Sequence, residues 1–453
     1  MATVIPFRGL VYDIARVPDL SMVLAPPYDV ISPERAAELR ARHPHNIVRV
    51  DLPEGDPPAR YADAATTLSG WIESGILRRD SFPAIYVVAQ SWAARGMEAK
   101  VRWGFVALLR IEEEGSGIVL PHEDTMDAPR RDRADLAEAL RAQVSPIFMM
   151  HTESNLSVTR ALQAYDRRTP DRQAQDAAGV DTRLWIVADP VGVRAVCDGL
   201  RDHQAFIADG HHRYAAARDL RERLRRSAPP SSEPRSFDHM LAYFCSVESP
   251  GLTILPYHRV TRGLEGGRYE TLLQELADDF VVKRFAFEGR DHRGEQIRRR
   301  LRALAAGGGA SMVVYPGGDG FAALVRRADD PSPLMSDLPE PLRDLDVCIL
   351  HRLILEPRLG IDADRQRAGD ALRFTSDVDQ AIDWVDGARG QLAFLMQPPD
   401  RARLMAVAGM GLRMPQKSTY FHPKVPTGLV MQALDPIDEV HSVPEGDARV
   451  IAS

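Results

Sequence analysis

The stretch FIADGHHRYAAARDL, residues 206–220, places several chemically versatile side chains one after another. His211 and His212 can donate hydrogen bonds or relay a proton, and the guanidinium of Arg213 can hold two oxygens of a phosphate group at once. Asp209 and Gly210 stand immediately before them. This combination of residue types is suited to binding and transferring a phosphoryl group.

The pattern around this stretch predicts a strand that leads directly into a helix. Residues 205–208 form an apolar run too short for a helix, which favours a buried strand. Asp209-Gly210 marks a turn, and Tyr214 and Leu220 then belong to an apolar pattern at helical spacing. The first N–H groups of a helix carry partial positive charge, and glycine lets a ligand approach the backbone. We therefore predict an oxyanion site at the start of this helix.

Two other interpretations of the motif stay open at this point. The His-His pair can be a surface feature of a helix start, since Asp-Gly is a common turn. The pair can also bind a metal ion, although neighbouring helical residues point about 100° apart and do not easily share one ion. We assign no metal ligands.

A second polar cluster, LPHEDTMDAPRRDR, follows an apolar strand. Its His122 and Glu123 are candidates for proton transfer, and Thr125 for contact with substrate. Arg131 is suited to the carboxylate of an amino acid. The two prolines predict an ordered loop, with a helix beginning near Asp132. The alternative is a solvated, charge-rich loop.

Two further clusters lie towards the C-terminus. GLTILPYHRV ends an apolar run with His258 and Arg259, at the kind of strand end where α/β folds place ligands. MPQKSTYFHPK contains Lys417 and Ser418 among prolines and aromatic residues. We predict that this segment is a lid and that Lys417 neutralises phosphate charge. A buried core histidine and a packed surface turn are the respective alternatives.

Composition limits the class of protein. The 453 residues are 44% hydrophobic, enough to bury two or three domain cores. A net charge of −7 argues against a dedicated nucleic-acid binder. No apolar run approaches the roughly 18 residues of a membrane span, and the N-terminus lacks a secretory pattern. The three cysteines fit neither a disulfide framework nor a zinc finger. We expect a cytoplasmic protein without membrane or nucleic-acid partners.

Helix and strand patterns alternate along the chain, which predicts a mixed α/β (α+β) fold. Among the predicted elements are a helix at PERAAELRAR, a strand at NIVRVDL and a β-hairpin at SMVVYPGGDGFAALVRR. We expect three regions: residues 1–150, residues 151–262 with the DGHHR motif, and residues 263–453. The phosphate-loop, Gly-x-Ser-x-Gly and His-Glu-x-x-His patterns are absent from the sequence, and we identify no Asp-x-Asp start of the kind used by haloacid-type phosphatases.

The quoted motifs resemble those of two known families. DGHHRYAAA is similar to the phosphate-binding signature of the ParB/sulfiredoxin-type fold, in the variant carried by ADP-dependent free serine kinase. This resemblance is confined to the central motif and implies a ParB/sulfiredoxin-like core elaborated by additional mixed α/β segments. The chain from end to end resembles a bacterial and archaeal family, domain of unknown function 1015, through APPYDVIS, LPHEDTM, DGHHRY, LPYHR and MPQKSTYFHPK.

The family resemblance implies an enzyme of serine metabolism that hydrolyses O-phospho-L-serine, a small phosphomonoester, to L-serine and phosphate. One of His211 and His212 then gives a proton to the serine oxygen or forms a phosphohistidine, and Asp209 orients a histidine. Glu123 and Arg131 hold the amino-acid end. The residues predicted to bind substrate or phosphate are Gly210, Arg213, His122, Thr125, Arg131, His258, Arg259, Lys417 and Ser418.

Three alternatives to the phosphatase stay open. A free serine kinase would use ADP or ATP as phosphoryl donor. A non-enzymatic nucleotide-binding switch of the ParB type is disfavoured by the acidic charge balance. A metal-dependent hydrolase would use Mg²⁺ carried in with the phosphate. The oligomeric state is not predicted.

Overall fold

The chain has the mixed α/β fold that the sequence predicts. A computed structural model describes residues 2–93, 99–153, 155–201, 203–229, 231, 233–289, 291–327 and 333–434. The described residues gather into two compact units. The first unit contains residues 2–121, 125–253 and 421–434, and the second contains residues 122–124 and 254–420.

The strands, in chain order, are β1 (Val4–Ile5), β2 (Leu10–Tyr12), β3 (Leu77–Arg79), β4 (Ile85–Trp92), β5 (Lys100–Arg110), β6 (Val119–Leu120), β7 (Ala142–Gln143), β8 (Ile147–His151), β9 (Arg172–Gln175), β10 (Asp181–Val187), β11 (Ala205–Asp209), β12 (His239–Ser246), β13 (Thr253–Leu255), β14 (His258–Thr261), β15 (Phe280–Ala286), β16 (Ser311–Tyr315), β17 (Gly320–Arg326), β18 (Leu372–Thr375), β19 (Ala393–Met396), β20 (Tyr420–His422) and β21 (Gln432–Ala433).

The helices are α1 (Pro33–Arg42), α2 (Val48–Asp51), α3 (Ala59–Glu73), α4 (Asp127–Leu140), α5 (Ser157–Gln163), α6 (Pro190–Cys197), α7 (His211–Ser227), α8 (Arg268–Glu275), α9 (Arg293–Ala306), α10 (Glu340–Arg343), α11 (Asp346–Ile349), α12 (Glu356–Leu359), α13 (Ala363–Ala368), α14 (Val378–Asp386) and α15 (Arg401–Gly409). A π-helical stretch, Leu350–Leu355, joins α11 to α12.

A nine-stranded mixed sheet forms the core of the first unit. Its order is β6-β11-β8-β12-β5-β4-β10-β9, and β1 pairs with β5. β12 runs parallel to β8 and antiparallel to β5. Every residue of β12 is buried, as expected for a strand covered on both faces of a sheet. β11 lies near one edge of this sheet and leads into α7.

Two local predictions for the first unit are wrong. NIVRVDL is not a strand, because Asn46 starts the short helix α2: its Oδ1 accepts a hydrogen bond from Val48 N (3.1 Å) and its Nδ2 donates to Met22 O (2.8 Å). Helix α4 begins at Asp127, not near Asp132. Pro129 therefore lies in the first turn, where a missing N–H group costs little.

The second unit is built on a six-stranded sheet in the order β15-β17-β16-β19-β14-β18, in which all neighbouring strands are antiparallel. The hairpin predicted at SMVVYPGGDGFAALVRR is confirmed, with Val313 opposite Ala323 across β16 and β17. A cluster of buried apolar residues, among them Phe280, Leu353 and Phe394, packs on this sheet.

The predicted three regions and the two units divide the chain at different places. The boundary predicted near residue 150 falls inside β8 of the first unit, and the boundary near residue 262 follows β14 in the second. As a division into independent domains, the three regions stay a prediction. All three cysteines are buried and reduced. Among the described helices, none is both long and apolar enough to cross a membrane.

Candidate functional site

The turn between β11 and α7 has the conformation that the sequence predicts. Gly210 precedes the helix with φ of 95°, in the left-handed region that glycine favours. A Cβ atom at this position would lie 2.7 Å from Cγ2 of Ile147, so a side chain would also clash with β8. The helix that follows has 17 residues, and its N-terminus is therefore the positive end of a long dipole.

Asp209 connects two basic side chains at this turn. Its Oδ2 accepts a hydrogen bond from Arg213 Nη2 at 2.9 Å, and its Oδ1 accepts one from Lys424 Nζ at 2.6 Å. Arg213 Nη1 also donates to Ser145 Oγ and to the carbonyl of Pro146, both at 2.7 Å. The guanidinium of Arg213 thus fixes the turn to the sheet.

The two histidines of the motif have different surroundings. His211 is 7% exposed, whereas the ring of His212 is half-buried. The backbone N–H of Met126 donates to Nε2 of His212 at 3.0 Å. A neutral His212 therefore carries its proton on Nδ1, which makes Nδ1 a donor and leaves Nε2 engaged. We call Asp209, His212, Arg213 and Lys424 the α7 cluster.

A buried arginine adds positive charge beside the α7 cluster. Arg102 is fully buried, and its Nη2 donates to Gln90 Oε1 and, at 2.6 Å, to Pro423 O, the residue before Lys424. Its guanidinium lies 4.6 Å from the centroid of the Phe148 ring. Within the described part of the chain, its Nε and Nη1 have no hydrogen-bond partner. Burial, with the charge of Arg102, lowers the pKa of His422 to about 4.

A second group of predicted residues lies in the second unit. Glu123 Oε1 accepts hydrogen bonds from the backbone N–H groups of Ser418 (3.0 Å) and Thr419 (3.3 Å). His122 is fully buried, and its Nε2 is 3.0 Å from Thr419 Oγ1. Glu123 thus holds the MPQKST segment in place, a structural use of the carboxylate that we predicted for proton transfer.

Three buried basic residues of the second unit, His258, Arg259 and His351, form what we call the Arg259 cluster. Arg259 is 1% exposed and donates to His351 Nε2 (3.2 Å), Tyr257 O (2.8 Å) and Lys417 O (3.2 Å). Burial lowers the pKa of Arg259 to about 10 and that of His258 to about 3, and it also lowers the pKa of His351. These imidazoles are uncharged at neutral pH.

Lys417 belongs to the same segment but has a different environment from Lys424. Its Nζ lies 5.4 Å from the centroid of the Tyr257 ring, and its backbone has φ of 55°. Thr125 and Arg131 are exposed in the first unit, and the nearest carboxylate to Arg131 is that of Asp127 at 4.0 Å.

The structure therefore divides the predicted site residues into two groups. Asp209, Gly210, His211, His212 and Arg213 come together at the start of α7, and His122, Glu123, His258, Arg259, Lys417 and Ser418 belong to the second unit. Thr125 and Arg131 are exposed residues of the first unit and belong to neither group. Two residues of the first group were missed from the sequence, Lys424 and Arg102. The signal for Lys424 was present, because a lysine stands within the apolar segment FHPKVP.

Among the residues that the structure describes, no group of three or more His, Cys, Asp or Glu side chains is placed to hold a metal ion. In the α7 cluster, the carboxylate of Asp209 accepts hydrogen bonds from Arg213 and Lys424. The arrangement is thus electropositive and is suited to an anionic ligand.

Comparison with protein families gives one match. Residues 4–348 match the family described as protein of unknown function (DUF1015). The motifs APPYDVIS, LPHEDTM, DGHHRY and LPYHR lie within this range, whereas MPQKSTYFHPK, with Lys417 and Lys424, lies beyond it. No curated protein matches the chain.

Solved structures that align with part of the chain include a mutant of free serine kinase in complex with AMP, at 11% identity over 67% of this chain and 84% of that chain, with a TM-score of 0.33. A conserved hypothetical protein from Pyrococcus furiosus aligns at 12% identity over 68% and 90% of the two chains, with a TM-score of 0.33. SbnI with a C-terminal truncation, from Staphylococcus aureus, aligns at 11% over 71% and 85%, also with a TM-score of 0.33. At this TM-score the alignments carry no conclusion about activity.

Proposed function

The chain belongs to the DUF1015 family, and from that premise we propose that it is a phosphoryl-transfer enzyme that binds the phosphate of O-phospho-L-serine at the start of α7. The observation that carries the proposal is the contact of Lys424 and Arg213 with Asp209 beside the N-terminus of that helix. Water is the proposed acceptor, which makes the products L-serine and phosphate.

The charge balance of the α7 cluster supports an anionic ligand. Asp209 supplies one negative charge against the two positive charges of Lys424 and Arg213. Arg102 adds a third positive charge, since it donates to the carbonyl of Pro423, the residue before Lys424. A buried excess of positive charge is costly unless an anion compensates it. A phosphate dianion also gains from the dipole of α7 and from the close approach that Gly210 permits.

Each group has a proposed task in the transfer. Lys424 leaves Asp209 to contact a phosphate oxygen and neutralises charge as the phosphorus–oxygen bond to serine breaks. Nδ1–H of His212 donates to a second phosphate oxygen, because its Nε2 is engaged by Met126 N. His211 is the proposed proton donor to the serine oxygen, and Arg213 positions Asp209 and the turn.

A phosphate-release assay on purified protein tests the proposal. O-phospho-L-serine is supplied alone, with ADP, with AMP, and with EDTA in place of Mg²⁺. Release of phosphate without nucleotide is the expected result. If O-phospho-L-serine is converted only when a nucleotide is present, the acceptor of the phosphoryl group is the nucleotide and not water. That result would support a free serine kinase. Loss of activity with EDTA would add Mg²⁺ as a cofactor.

A binding measurement separates the site from the reaction. Inorganic phosphate and O-phospho-L-serine are titrated into wild-type protein, Lys424→Met and Lys283→Met, the last of which changes an exposed lysine of β15. We expect weaker binding in Lys424→Met alone. Equal binding by all three proteins, with no conversion of O-phospho-L-serine, would contradict the proposal. Salt-sensitive binding of DNA by the wild type would favour a ParB-type switch instead.

A further inference from the structure

A small cavity lies in the first unit beside helices α4 and α7. Its volume is about 50 Å³. Aliphatic side chains form most of its wall, among them Leu136 and Leu140 of α4 and Ala216 and Leu220 of α7. At about 10–15 Å³ for each water-sized occupant, the space holds roughly four non-hydrogen atoms. A cavity with apolar walls of this kind favours carbon over water.

One end of the cavity is polar and contains a carboxyl group with spare bonding capacity. Asp51, the last residue of α2, lines the cavity and is 4% exposed. Its Oδ1 lies 3.5 Å from Arg133 Nη1. Its Oδ2 is buried and accepts no hydrogen bond from any residue that the structure describes. A buried acceptor left unpaired loses the hydrogen bonds it makes in water, so the carboxyl group favours a ligand that can donate to it.

The two guanidinium groups at this end donate their hydrogen bonds to groups other than the Asp51 carboxylate. Arg133 donates to Asp132 Oδ2 through Nε (2.8 Å) and Nη2 (2.6 Å), and its Nη1 donates to the backbone carbonyl of Asp51 (2.7 Å). Arg213 is bonded to Asp209 and Ser145. Asp51 thus pairs with Arg133 through Oδ1 only, its Oδ2 has no donor among the described residues, and burial raises its pKa.

We propose that this cavity binds a small aliphatic primary amine as its ammonium ion, with Asp51 Oδ2 accepting a hydrogen bond from nitrogen and the walls from α4 and α7 covering the carbon atoms. The ammonium supplies the missing donor in a charge-assisted hydrogen bond, which is stronger than the hydrogen bond of a neutral donor. This proposal does not depend on phosphoryl transfer at the α7 cluster. Arg213 is the one residue of that cluster that lines the cavity.

The test compares three probes of the same branched shape. Isopropylamine hydrochloride, isopropanol and acetone are titrated into the full-length protein at neutral pH, and binding is measured by saturation-transfer NMR and by the rise in Tm. Sodium chloride at equal ionic strength is the blank. We expect the amine to bind about tenfold or more tightly than isopropanol, because the charge-assisted hydrogen bond is the stronger one, and acetone not to bind.

Two variants locate the binding in the cavity. Asp51→Asn keeps the shape of the side chain and removes its charge, and we expect a Kd for isopropylamine about tenfold higher. Ala216→Val adds two methyl groups to the wall and should weaken binding by a similar factor. Ala215→Val is the matched control, because Ala215 is the neighbouring residue of α7 and is not part of the wall. If Asp51→Asn does not fold, the comparison of Ala216→Val with Ala215→Val still shows whether the amine binds in the cavity.

Three results would overturn the proposal. The first is no binding of isopropylamine to the wild type, which would indicate a cavity filled by water. The second is equal binding of amine, alcohol and acetone, which would indicate a purely apolar cavity. The third is unchanged amine binding in Ala216→Val, which would place the amine elsewhere on the protein.

Discussion

The α7 cluster and the Arg259 cluster both contain an arginine and at least one histidine near the end of a strand, but they are built differently. In the α7 cluster Arg213 and Lys424 share the carboxylate of Asp209, and His212 is half-buried. In the Arg259 cluster each member is no more than 6% exposed, and the guanidinium donates to carbonyl oxygens and an imidazole.

This difference shows what burial does to a group of basic residues. In the Arg259 cluster every guanidinium nitrogen has a partner, and the imidazole pKa values are lowered out of the physiological range. Such a cluster stabilises the fold around it. The α7 cluster retains more positive than negative charge next to a helix N-terminus, which is the property that an anionic substrate requires.

The largest effect on stability is expected for Arg259→Met. The substitution leaves the carbonyl groups of Tyr257 and Lys417 and Nε2 of His351 without their donor, and we expect a loss of about 3–5 kcal/mol of unfolding free energy. Urea denaturation measures it, with the exposed Arg299→Met as control. If the variant were fully stable but inactive, the Arg259 cluster would instead have a catalytic role, and the contrast with the α7 cluster would not hold.

The largest effect on activity is expected for Lys424→Met. Removal of a cation that stabilises transition-state charge lowers kcat/KM by about 10²–10³-fold, or about 3–4 kcal/mol. The assay is phosphate release from O-phospho-L-serine, and Lys283→Met should behave like the wild type. Activity within about twofold of the wild type would remove Lys424 from the proposed phosphate site.

Acid stability tests the Arg259 cluster separately. Burial, followed by the charge of Arg259, lowers the pKa of His258 to about 3 in the folded protein, whereas the unfolded chain binds this proton near pH 6.5. The stability that neutral His258 contributes is complete above pH 6.5 and is lost as pH falls towards 3. When the pH is lowered from about 6.5 to 4.5, the unfolding free energy of His258→Asn should fall by about 2 kcal/mol less than that of the wild type. Denaturation at several pH values measures this, and identical slopes would contradict it.

The smallest effect is expected for Glu123→Gln. The amide oxygen still accepts the hydrogen bonds from Ser418 and Thr419 N–H, so stability should change by about 1 kcal/mol and kcat by less than about threefold. If Glu123 transfers a proton, as the sequence predicts, kcat would fall by about 10²–10⁴-fold. Steady-state kinetics distinguishes the two results.

Local patterns predict much of the fold. PERAAELRAR is α1 from end to end, because Ser32 caps the helix and Pro33 suits its first turn. β12 was not predicted, because its continuous apolar run carries no alternation, and α2 was predicted as a strand because its start depends on the distant Met22 carbonyl. Tertiary contacts, which no local window contains, decide such elements.

The candidate site follows the same rule. The turn from Asp209 to Arg213 is predictable, since strand, glycine and helix signals are adjacent in the sequence. The contact between Asp209 and Lys424 is not predictable, because Lys424 lies 215 positions further along the chain. Of the two lysines in MPQKSTYFHPK, the sequence favoured Lys417, whose Nζ lies near the Tyr257 ring. Spacing alone does not tell which of them reaches the motif.

The return of residues 421–434 to the first unit has a consequence for biosynthesis. β21 pairs with β7, and Lys424 reaches Asp209, only after residues 421–434 have been translated. A ribosome that has reached residue 420 has already made the glycine turn and α7, but not the lysine that completes the charge arrangement. Under the proposed function, nascent chains and chains that terminate before Lys424 would therefore be inactive towards cellular phosphate esters.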